Sequence, residues 1–550
     1  MAIINTSNNS GLTSYQKGSA TYTMLLTLVA TLGGLLFGYD TAVVNGAESS
    51  LVKFYIGNPE KLVFVDHIDQ VIKEYRYMLV GVLLTVVLIV SAQLLKLLGR
   101  QKGILSSLLL LFILISWTYS FLNNPLPITP MEVKSIADAV KGFLISSALI
   151  GCVIGGALAG NISKTWGRKK GLIISALAFL ISGIGSWKPE VFNWFGILDI
   201  YSFVIYRIIG GIGVGIASMI SPMYIAEIAP ASSRGKLVSF NQFAIILGML
   251  IIYFVNYFIA GQGNEEWLIE EGWRLMFFSG VIPSVIFLIL LFFVPETPRY
   301  LALQGKDAAA LGVLQKIAGK ENAQSVLQEI KSTLKETNAP WLSYGYLVIF
   351  IGVLLSVFQQ FVGINVVLYY AGNIFRNMGA STDSSLLQTI IIGGVNLIFT
   401  VIAILYVDRF GRKPLMMIGS VGMAISMLGL GFSFYLNQVG FIALFFMLFY
   451  TAAFAMSWGP VCWVLLSEIF PNSIRGALSI AVTAQWVANW IVSLTFPILN
   501  DSLWLNEKFN HGFAYWIYGV MSLLSALFIW KMVPETKGRT LESMEELWKK

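Results

Sequence analysis

Histidine and cysteine are scarce in this chain of 550 residues, which contains two of each. His67 and His511 are too few and too isolated to form a metal site, so none is expected. Cys152 and Cys462 both fall in long apolar runs, which predicts buried, small hydrophobic side chains. The sequence also lacks a phosphate-binding glycine loop and a nucleophile–base arrangement, so it predicts neither an enzyme nor a cofactor.

Charged residues are also few, at 12% of the chain against 56% hydrophobic residues. The hydrophobic residues form many separate runs about 20 residues long, the length of a helix that crosses a bilayer core. The chain is therefore predicted to be a polytopic membrane protein, with the lipid bilayer as its surroundings. Its net charge of +7 lies in short loops between the runs, as the positive-inside rule expects, so no nucleic-acid partner is predicted.

Fourteen membrane spans are predicted, at about residues 22–45, 77–98, 104–122, 138–161, 171–187, 199–221, 235–259, 274–294, 346–372, 386–407, 414–434, 440–466, 476–499 and 512–532. The polar N-terminus has Lys17 as its only charge and no small-residue cleavage site, which predicts an uncleaved cytoplasmic segment. The second and third spans form a hairpin whose tip carries Lys96, Arg100 and Lys102, which predicts a cytoplasmic turn. The hairpin then leaves and returns on the outer side. No function is assigned to it from the sequence, and its polar residues do not indicate substrate contact, so the plain interpretation is a peripheral packing or partner-docking element.

The spans and polar segments give a division of the chain into six parts. Residues 300–340 are polar with spaced aliphatic residues, which predicts amphipathic cytoplasmic helices between two halves. The parts are a cytoplasmic N-terminus at 1–20, an N-terminal half at 21–58 and 138–299, an insertion at 59–137 with its hairpin at about 77–122, the linker at 300–340, a C-terminal half at 341–533, and a cytoplasmic tail at 534–550.

The two halves repeat each other. PMYIAEIAPASSRGKLVS aligns with PVCWVLLSEIFPNSIRGALS, so that Glu227 matches Glu468 and Arg234 matches Arg475, each 241 residues apart. The loop beginning at Gly167 recurs at Gly411, and VPETPR recurs as VPETKGR. Near-equal offsets in the same order imply two parallel six-helix repeats.

The repeated loops carry charges suited to a conformational latch. Gly411 allows a tight turn, while its basic neighbours hold that turn at the cytoplasmic surface. Pro471 ends the span between Glu468 and Arg475, so either charge can bridge from a helix end to another loop. In a two-state transporter such ion pairs can hold one half to the other and break on switching. The residues predicted for this cytoplasmic latch are Glu227, Arg234, Arg168, Asp408, Arg409, Arg412, Glu468 and Arg475. The alternative is that the basic residues are ordinary topology signals.

The stretch FQQFVGINVVLYY, from Phe358 to Tyr370, places neutral polar groups inside an apolar run. Polar groups at such depth face a cavity or a partner. Gln359 and Asn365 are six residues apart, about 240° of net rotation on an ideal helix, so one straight helix cannot direct both at one small ligand. Gly363 between them permits a break, as in the broken helices of transporter sites. The alternative interpretation is a polar contact between helices.

Asp40 follows the glycines of GGLLFGYD in the first span. An aspartate at the centre of a span costs about 2.5 to 3.5 kcal/mol on insertion scales, so it requires a role or a partner. A functional carboxylate and a salt-bridged or interfacial structural aspartate both satisfy this requirement.

These motifs together resemble the sugar porter family of the major facilitator superfamily, with the closest likeness to bacterial D-xylose/proton symporters. The resemblance covers about residues 20–58 and 138–550 and is carried by GGLLFGYDTAVV, YRIIGGIGVG, SFNQFAII, FQQFVGINVVLYY, DRFGRKP, VPETPR and VPETKG. It implies an all-α polytopic membrane protein with the major facilitator fold, made of two six-helix repeats (12 core spans) plus the inserted two-helix hairpin.

The resemblance also implies site residues. Asp40 corresponds to the proton-coupling carboxylate and Arg207 to the arginine that pairs with it. The implied sugar contacts are Gln242, Gln359, Gln360, Asn365, Tyr369, Asn396, Trp463, Gln485 and Trp486. Neutral amides and aromatic faces suit a neutral polyol. Three departures from the family pattern stand out: Lys164 and Thr165 in the first repeated loop, Gly280 where a glutamate is expected, and the inserted hairpin.

The expected function is import of a monosaccharide, D-xylose first, by proton symport with alternating access across a bacterial cytoplasmic membrane. The protein is expected to be a monomer with both termini in the cytoplasm. The alternatives are a glucose or other hexose symporter, a sugar uniporter and, from another class, a membrane sugar sensor. A sensor would carry a long cytoplasmic signalling extension, which the short segment after Val533 does not supply.

Overall fold

The structure, a computed structural model, describes residues 19–194, 196–230, 233–333, 339–537 and 548, apart from the side chains of Thr333, Asp408, Ser467, Asn472, Ser473 and Arg475. Fourteen helical segments within these residues are long and apolar enough to cross a membrane, which confirms the predicted number. All twelve core spans and both hairpin spans of the prediction overlap one of them.

The first part of the chain, up to the linker, contains fourteen helices. They are α1 (Ala20–Ala42), α2 (Val44–Tyr55), α3 (Ile68–Leu98), α4 (Arg100–Asn123), α5 (Pro130–Thr165), α6 (Arg168–Trp187), α7 (Asp199–Ile228), α8 (Arg234–Ala260), α9 (Glu265–Trp267), α10 (Trp273–Ser279), α11 (Val281–Phe293), α12 (Pro298–Leu303), α13 (Asp307–Ala318) and α14 (Lys320–Thr333). A π-helical turn, Leu268–Gly272, joins α9 to α10. The described part of the polar linker up to Thr333 is largely helical, as its spaced aliphatic residues predict.

The second part contains nine helices. They are α15 (Tyr346–Phe361), α16 (Ile364–Asn377), α17 (Thr382–Phe410), α18 (Arg412–Tyr435), α19 (Phe441–Met456), α20 (Trp458–Ile469), α21 (Leu478–Asn500), α22 (Leu503–Phe509) and α23 (Gly512–Met532). A 3-10 segment, Asn472–Ala477, precedes α21. Across the two halves α5 packs along α21 and α8 packs along α17.

Two helices begin earlier than their apolar runs predict. The helix α5 starts at Pro130, eight residues before the predicted span, because Thr129 and Glu132 form a capping box in which each side chain accepts from the other's backbone N–H. The helix α3 starts at Ile68 in a charged segment. Arg76 fixes this segment by donating to the carbonyl oxygens of Asn124 and Pro125. Polar residues therefore extend both helices beyond the apolar run.

The first span is longer than predicted and is bent. A helical segment of 36 residues runs from Ala20 to Tyr55, with a turn at Val43 between α1 and α2. The Val43 carbonyl accepts a hydrogen bond of 3.1 Å from Asn256 Nδ2, which supplies a partner for a carbonyl at the bend. A two-stranded antiparallel ribbon, β1 (Gly57–Asn58) and β2 (Val63–Phe64), follows α2 and was not predicted.

The inserted hairpin forms as predicted, with its turn at Gly99 (φ +76°) between α3 and α4. The helix α3 packs on α5 of the N-terminal half, and Glu74 on α3 accepts from the backbone N–H of Leu198, just before α7. At the other end of α3, Gln93 Nε2 donates a hydrogen bond of 2.6 Å to Thr483 Oγ1 on α21. The hairpin thus contacts both halves, while α4 presents most of its apolar surface outward.

Candidate functional site

The polar stretch breaks at Gly363, as its sequence predicts. Gly363 has a left-handed φ of +96° and separates α15 from α16. A Cβ at this glycine would lie 2.8 Å from the Tyr518 ring, so both the backbone conformation and the space require glycine. Tyr450 donates to the Val362 carbonyl at 2.8 Å and satisfies a backbone acceptor beside the break.

A second break lies opposite the first and was not predicted. The predicted span at 440–466 is divided at Ser457 into α19 and α20. Gln359 Nε2 donates to the Trp458 carbonyl at 3.0 Å, close to this break. The side chain of one broken helix therefore supplies a hydrogen bond to the backbone of the other. Such pairing makes non-helical backbone tolerable at membrane depth.

Four of the predicted sugar contacts form one chain of amides. Asn365 Nδ2 donates to Gln360 Oε1, and Gln360 Nε2 donates to Gln359 Oε1 at 3.4 Å. Gln485 Nε2 on α21 also donates to Gln359 Oε1. All four side chains are buried, with residue exposures between 3% and 8%. The structure thus gathers neutral donors and acceptors from α15, α16 and α21 at one place.

The amide chain has hydrogen-bonding capacity left over. Gln485 Oε1 is buried without a partner among the described residues, as is Nε1 of the neighbouring Trp486. The Trp486 ring lies 5.5 Å from the Phe37 ring, between centroids, so an aromatic pair joins α21 to α1 of the other half. Burying an unpartnered polar atom costs roughly 1–3 kcal/mol, which a ligand hydroxyl would recover.

The other predicted sugar contacts lie on neighbouring helices. Tyr369 is buried on α16, and its hydroxyl approaches Asn489 on α21. Asn396 is buried on α17, whereas Gln242 on α8 and Trp463 on α20 are half-buried. Within the described part of the chain, no hydrogen bond links Gln242, Asn396 or Trp463 to the amide chain. Their role in sugar binding stays a prediction.

Asp40 and Arg207 form a buried ion pair in the N-terminal half. Arg207 donates from NH1 to Asp40 Oδ1 at 2.7 Å and from NH2 to the Asp40 carbonyl at 2.8 Å. The Arg207 side chain is 4% exposed and its guanidinium carbon lies 5.0 Å from the centroid of the Phe277 ring. The structure therefore supplies the partner that an aspartate at this depth requires.

The second carboxylate oxygen, Asp40 Oδ2, is buried without a partner among the described residues. Asp40 borders a cavity of about 10 Å³, roughly the space that one water needs. Tyr39, Gly280 and Ser284 also line this cavity. A Cβ at Gly280 would make only ordinary contacts, 3.5 Å from the Phe277 carbonyl and 3.7 Å from the Tyr39 ring. A longer side chain at this position would start at the wall of the cavity that Asp40 also lines.

The repeated turns carry matching polar networks. In the N-terminal half, Arg168 NH2 donates to Glu227 Oε1 at 2.7 Å, and Thr297 donates to Glu227 Oε2 at 2.6 Å. In the C-terminal half, Arg412 NH2 donates to Glu468 Oε1 at 2.8 Å, and Thr536 donates to the other oxygen. The side of the spans that carries these turns is called the basic side below. Each of these two ion pairs lies within one half.

Each turn also holds a second glutamate, for which no role was predicted from the sequence. Glu296 accepts from the backbone N–H groups of Arg168 and Lys169, and Glu535 accepts from those of Arg412 and Lys413. The recurrence of Pro-Glu-Thr at Pro295 and Pro534 was the signal that could have identified both.

The pKa values of these two glutamates shift in opposite directions. Burial raises the pKa of Glu296 above its ordinary value, although backbone N–H groups oppose that effect. Burial also acts to raise the pKa of Glu535, but four backbone N–H groups outweigh it and lower that pKa.

The remaining latch residues are less fully placed. Arg234 is exposed at the first position of α8, and Arg409 is exposed at the end of α17, where its carbonyl accepts from Lys537 Nζ at 2.8 Å. The side chains of Asp408 and Arg475 lie outside the described part of the structure. The assignment of all eight residues to a latch stays a prediction.

This fold is that of the major facilitator superfamily. A solved structure of the xylose transporter XylE from E. coli, in a partially occluded inward open conformation, matches it with a TM-score of 0.74 and 48% identity. The match covers 95% of this chain and 100% of the chain in that structure. The family described as "Sugar (and other) transporter" matches residues 26–548. The chain belongs to this family, which confirms the resemblance, and it is a sugar transporter rather than an enzyme.

Two characterised relatives show what similar chains do. The D-xylose-proton symporter of Escherichia coli (strain K12) is 51% identical over 544 residues, which cover 96% of this chain and 96% of the relative. The glucose facilitated diffusion protein of Zymomonas mobilis is 41% identical over 428 residues, which cover 77% of this chain and 90% of the relative.

Proposed function

We propose that this protein imports D-xylose together with a proton. The observation that carries the proposal is the buried chain of four neutral amides, which ends at unpartnered polar atoms of Gln485 and Trp486. The 51% identity to a D-xylose-proton symporter along almost the whole chain supports xylose as the sugar. A second group, the Asp40–Arg207 pair, supports proton coupling.

The chemistry of the amide chain suits a sugar. Each sugar hydroxyl both donates and accepts a hydrogen bond, and an amide offers both functions without a charge. A neutral ligand also leaves no buried charge to compensate inside the membrane. The indole of Trp486 adds a flat apolar face for the C–H surface of the ring, together with an N–H donor. Recognition therefore resides mainly in the C-terminal half.

Coupling resides in the N-terminal half. Arg207 NH1 holds Asp40 Oδ1 at 2.7 Å, whereas Asp40 Oδ2 has no partner among the described residues. The transported proton binds at Oδ2 when the arginine moves away or external water reaches this oxygen. Proton binding and sugar binding then favour the same transition, in which the two halves rock about the central site.

The orientation follows from the charges of the loops. The basic side faces the cytoplasm, with both termini, because short loops rich in lysine and arginine stay on that side. The membrane is the cytoplasmic membrane of a bacterium, a proposal supported by the bacterial origin of the relatives above. One chain supplies both halves and hence a complete site, so the transporter works as a monomer.

Facilitated diffusion of glucose or another monosaccharide is the second candidate function. Gly280 favours it, because no carboxylate occupies this position beside Asp40. The identity of 41% to a glucose facilitator points the same way. One hydroxymethyl group separates xylose from glucose, and a difference of that size changes binding by only about 1–3 kcal/mol.

Uptake by proteoliposomes tests the proposal. Labelled D-xylose is supplied with and without an inward proton gradient, and with excess unlabelled glucose as a competitor. Accumulation above equilibrium only with the gradient is the expected result, and the competition ranks the two sugars. Equilibration that ignores the gradient would make the protein a facilitator.

A further inference from the structure

Six charged side chains cluster near the ends of the spans opposite the basic side. They come from four places in the fold: α2, α5, α16 and the residue after α21. The members of this outer cluster are Glu48, Lys134, Asp138, Lys141, Arg376 and Asp501. Four of the side chains are at most 8% exposed, while Asp501 is 14% exposed and Arg376 is 26% exposed.

Lys141 lies at the centre of the outer cluster. Its Nζ is 2.9 Å from Glu48 Oε1 and 3.0 Å from Asp501 Oδ2. Lys134 Nζ is 2.8 Å from Asp138 Oδ2 and donates to the Asp501 carbonyl at 2.6 Å. Three cations thus meet three anions.

Several of these contacts join the two halves of the protein. Lys141 on α5 reaches Asp501 at the end of α21, and Arg376 on α16 reaches Glu48 on α2 at 2.6 Å. On the basic side the ion pairs Arg168–Glu227 and Arg412–Glu468 each lie within one half, and Lys331–Asp307 lies within the linker. Among the described residues, the ion pairs that join the two halves therefore lie at the outer end.

The backbones also meet tightly beside the outer cluster. A Cβ at Gly142, the neighbour of Lys141, would lie only 2.2 Å from the Leu494 carbonyl on α21. On α16, the Leu368 carbonyl accepts from Asn45 at 2.8 Å and from Tyr253 at 3.0 Å, two residues of the other half. The outer side is thus closed in this structure.

Buried charges are stable only when they are paired. Removing one partner of such a pair leaves an uncompensated charge, which is far more costly than the net gain from forming the pair. If the halves separate at the outer end, Asp501 loses Lys141 and Glu48 loses Arg376. Entering water must then hydrate those charges.

We propose that the outer cluster is an ionic lock, which holds the outer side closed and sets the resting balance between the two orientations of the transporter. This inference rests on the alternating access of the proposed function. Lys141 is the central residue of the lock, and Arg376 is a weaker element at its exposed edge. Neutralising Lys141 therefore shifts the resting population toward the state that is open to the outside.

The distance between the halves tests this lock directly. Spin labels are attached at Met131→Cys, near the start of α5, and at Glu507→Cys, within α22, because both positions are exposed. The two buried cysteines of the chain are first replaced by alanine. Distances are measured by double electron–electron resonance in nanodiscs without sugar. Lys141→Met raises the ratio of the longer to the shorter distance by about fivefold or more, the lower range of conformational coupling. Arg376→Gln raises it less.

Two variants control for unrelated effects. Lys141→Arg keeps the charge and retains the short distance. Glu190→Gln breaks an ion pair with Arg274 that lies inside the N-terminal half, so it also leaves the distance unchanged.

An unchanged distance distribution in Lys141→Met would overturn the lock. If Lys141→Met does not fold, Asp501→Asn and Arg376→Gln decide the question, and no shift in either one overturns it. The measurement uses no sugar or proton gradient, so its failure is distinct from failure of xylose symport.

Discussion

Gln359 donates a hydrogen bond to the carbonyl of Trp458, 99 residues further along the chain. This contact joins a side chain beside one helix break to the backbone at another. The same glutamine accepts from Gln360 and Gln485, so it fixes both the broken backbone and the amides of the candidate sugar site.

Replacing Gln359 therefore weakens sugar binding. Gln359→Ala removes the shared acceptor of the amide chain and leaves a buried carbonyl unpaired, at a cost of about 1–3 kcal/mol. The dissociation constant of D-xylose, measured by isothermal titration calorimetry in detergent, rises by roughly 5- to 100-fold. Gln438→Ala, at an exposed glutamine between α18 and α19, is the matched control and leaves it unchanged. An unaltered affinity in Gln359→Ala would remove this residue from the pocket.

Asp40 is assigned to proton coupling, whereas the amides are assigned to sugar recognition. Asp40→Asn keeps a polar side chain of the same size but cannot carry the proton. Accumulation of D-xylose against its gradient is lost in proteoliposomes, whereas exchange of labelled for unlabelled sugar remains measurable. Equal loss of accumulation and exchange would show that Asp40 serves binding as well, or that the separation of roles is wrong.

Gly363→Ala tests the break in the polar stretch. Alanine at φ +96° is strained, and its Cβ would approach the Tyr518 ring to 2.8 Å. The backbone strain alone costs about 1–3 kcal/mol. Gly379→Ala is the matched control, because Gly379 has a similar φ of +89° but no neighbour within 4 Å of its Cβ. In a thermal unfolding series, Gly363→Ala lowers the midpoint more than Gly379→Ala. Equal losses would mean that the Tyr518 contact is unimportant.

The contributions of Glu296 and Glu535 to folding stability are expected to depend on pH in opposite directions. The lowered pKa of Glu535 means that its charge adds stability above the unfolded-state pKa, and that this stability is lost as pH falls through the folded-state pKa. The raised pKa of Glu296 means that its proton adds stability at low pH, which is lost as pH rises through the folded-state pKa.

Glutamine substitutions at these two positions measure this difference. At pH 7, Glu535→Gln lowers the thermal midpoint more than Glu296→Gln, because only the Glu535 charge is favoured by the folded state. The difference between the thermal midpoints of the two variants narrows as the pH of the unfolding experiment is lowered toward 4. If Glu296→Gln lowered the thermal midpoint more than Glu535→Gln at pH 7, the result would contradict the opposite pKa shifts.

Local signals in the sequence were sufficient for much of the fold. Apolar length predicted the spans, and Gly363 predicted a break because glycine adopts left-handed backbone conformations without strain. The break at Ser457 had a signal that was missed, the Gly-Pro pair at Gly459 and Pro460, since this pair marks turns and helix ends. The hydrogen bond that Gln359 donates beside the break could not be predicted, because Gln359 lies far away in the chain. The early start of α5 was readable from Thr129 and Glu132, but apolar length alone missed it.

The sequence predicted which residues belong to the candidate sites better than it predicted which residues they contact. Depth in the membrane identified Asp40 and the amides as groups that need partners, and the family resemblance implied Arg207. The contact between Lys141 and Asp501 was not predicted, since charges near the ends of spans are common topology features. Only the packing of α5 against α21 brings these two residues, 360 positions apart, together.

Sugar-driven proton movement tests the central claim most directly. Proteoliposomes loaded with a pH-sensitive dye receive D-xylose outside, with no proton gradient imposed and with the membrane potential clamped. Inward symport acidifies the lumen as the sugar enters, and Asp40→Asn liposomes show no such change. Entry of labelled D-xylose into the unsubstituted protein's liposomes at constant lumenal pH would contradict proton symport.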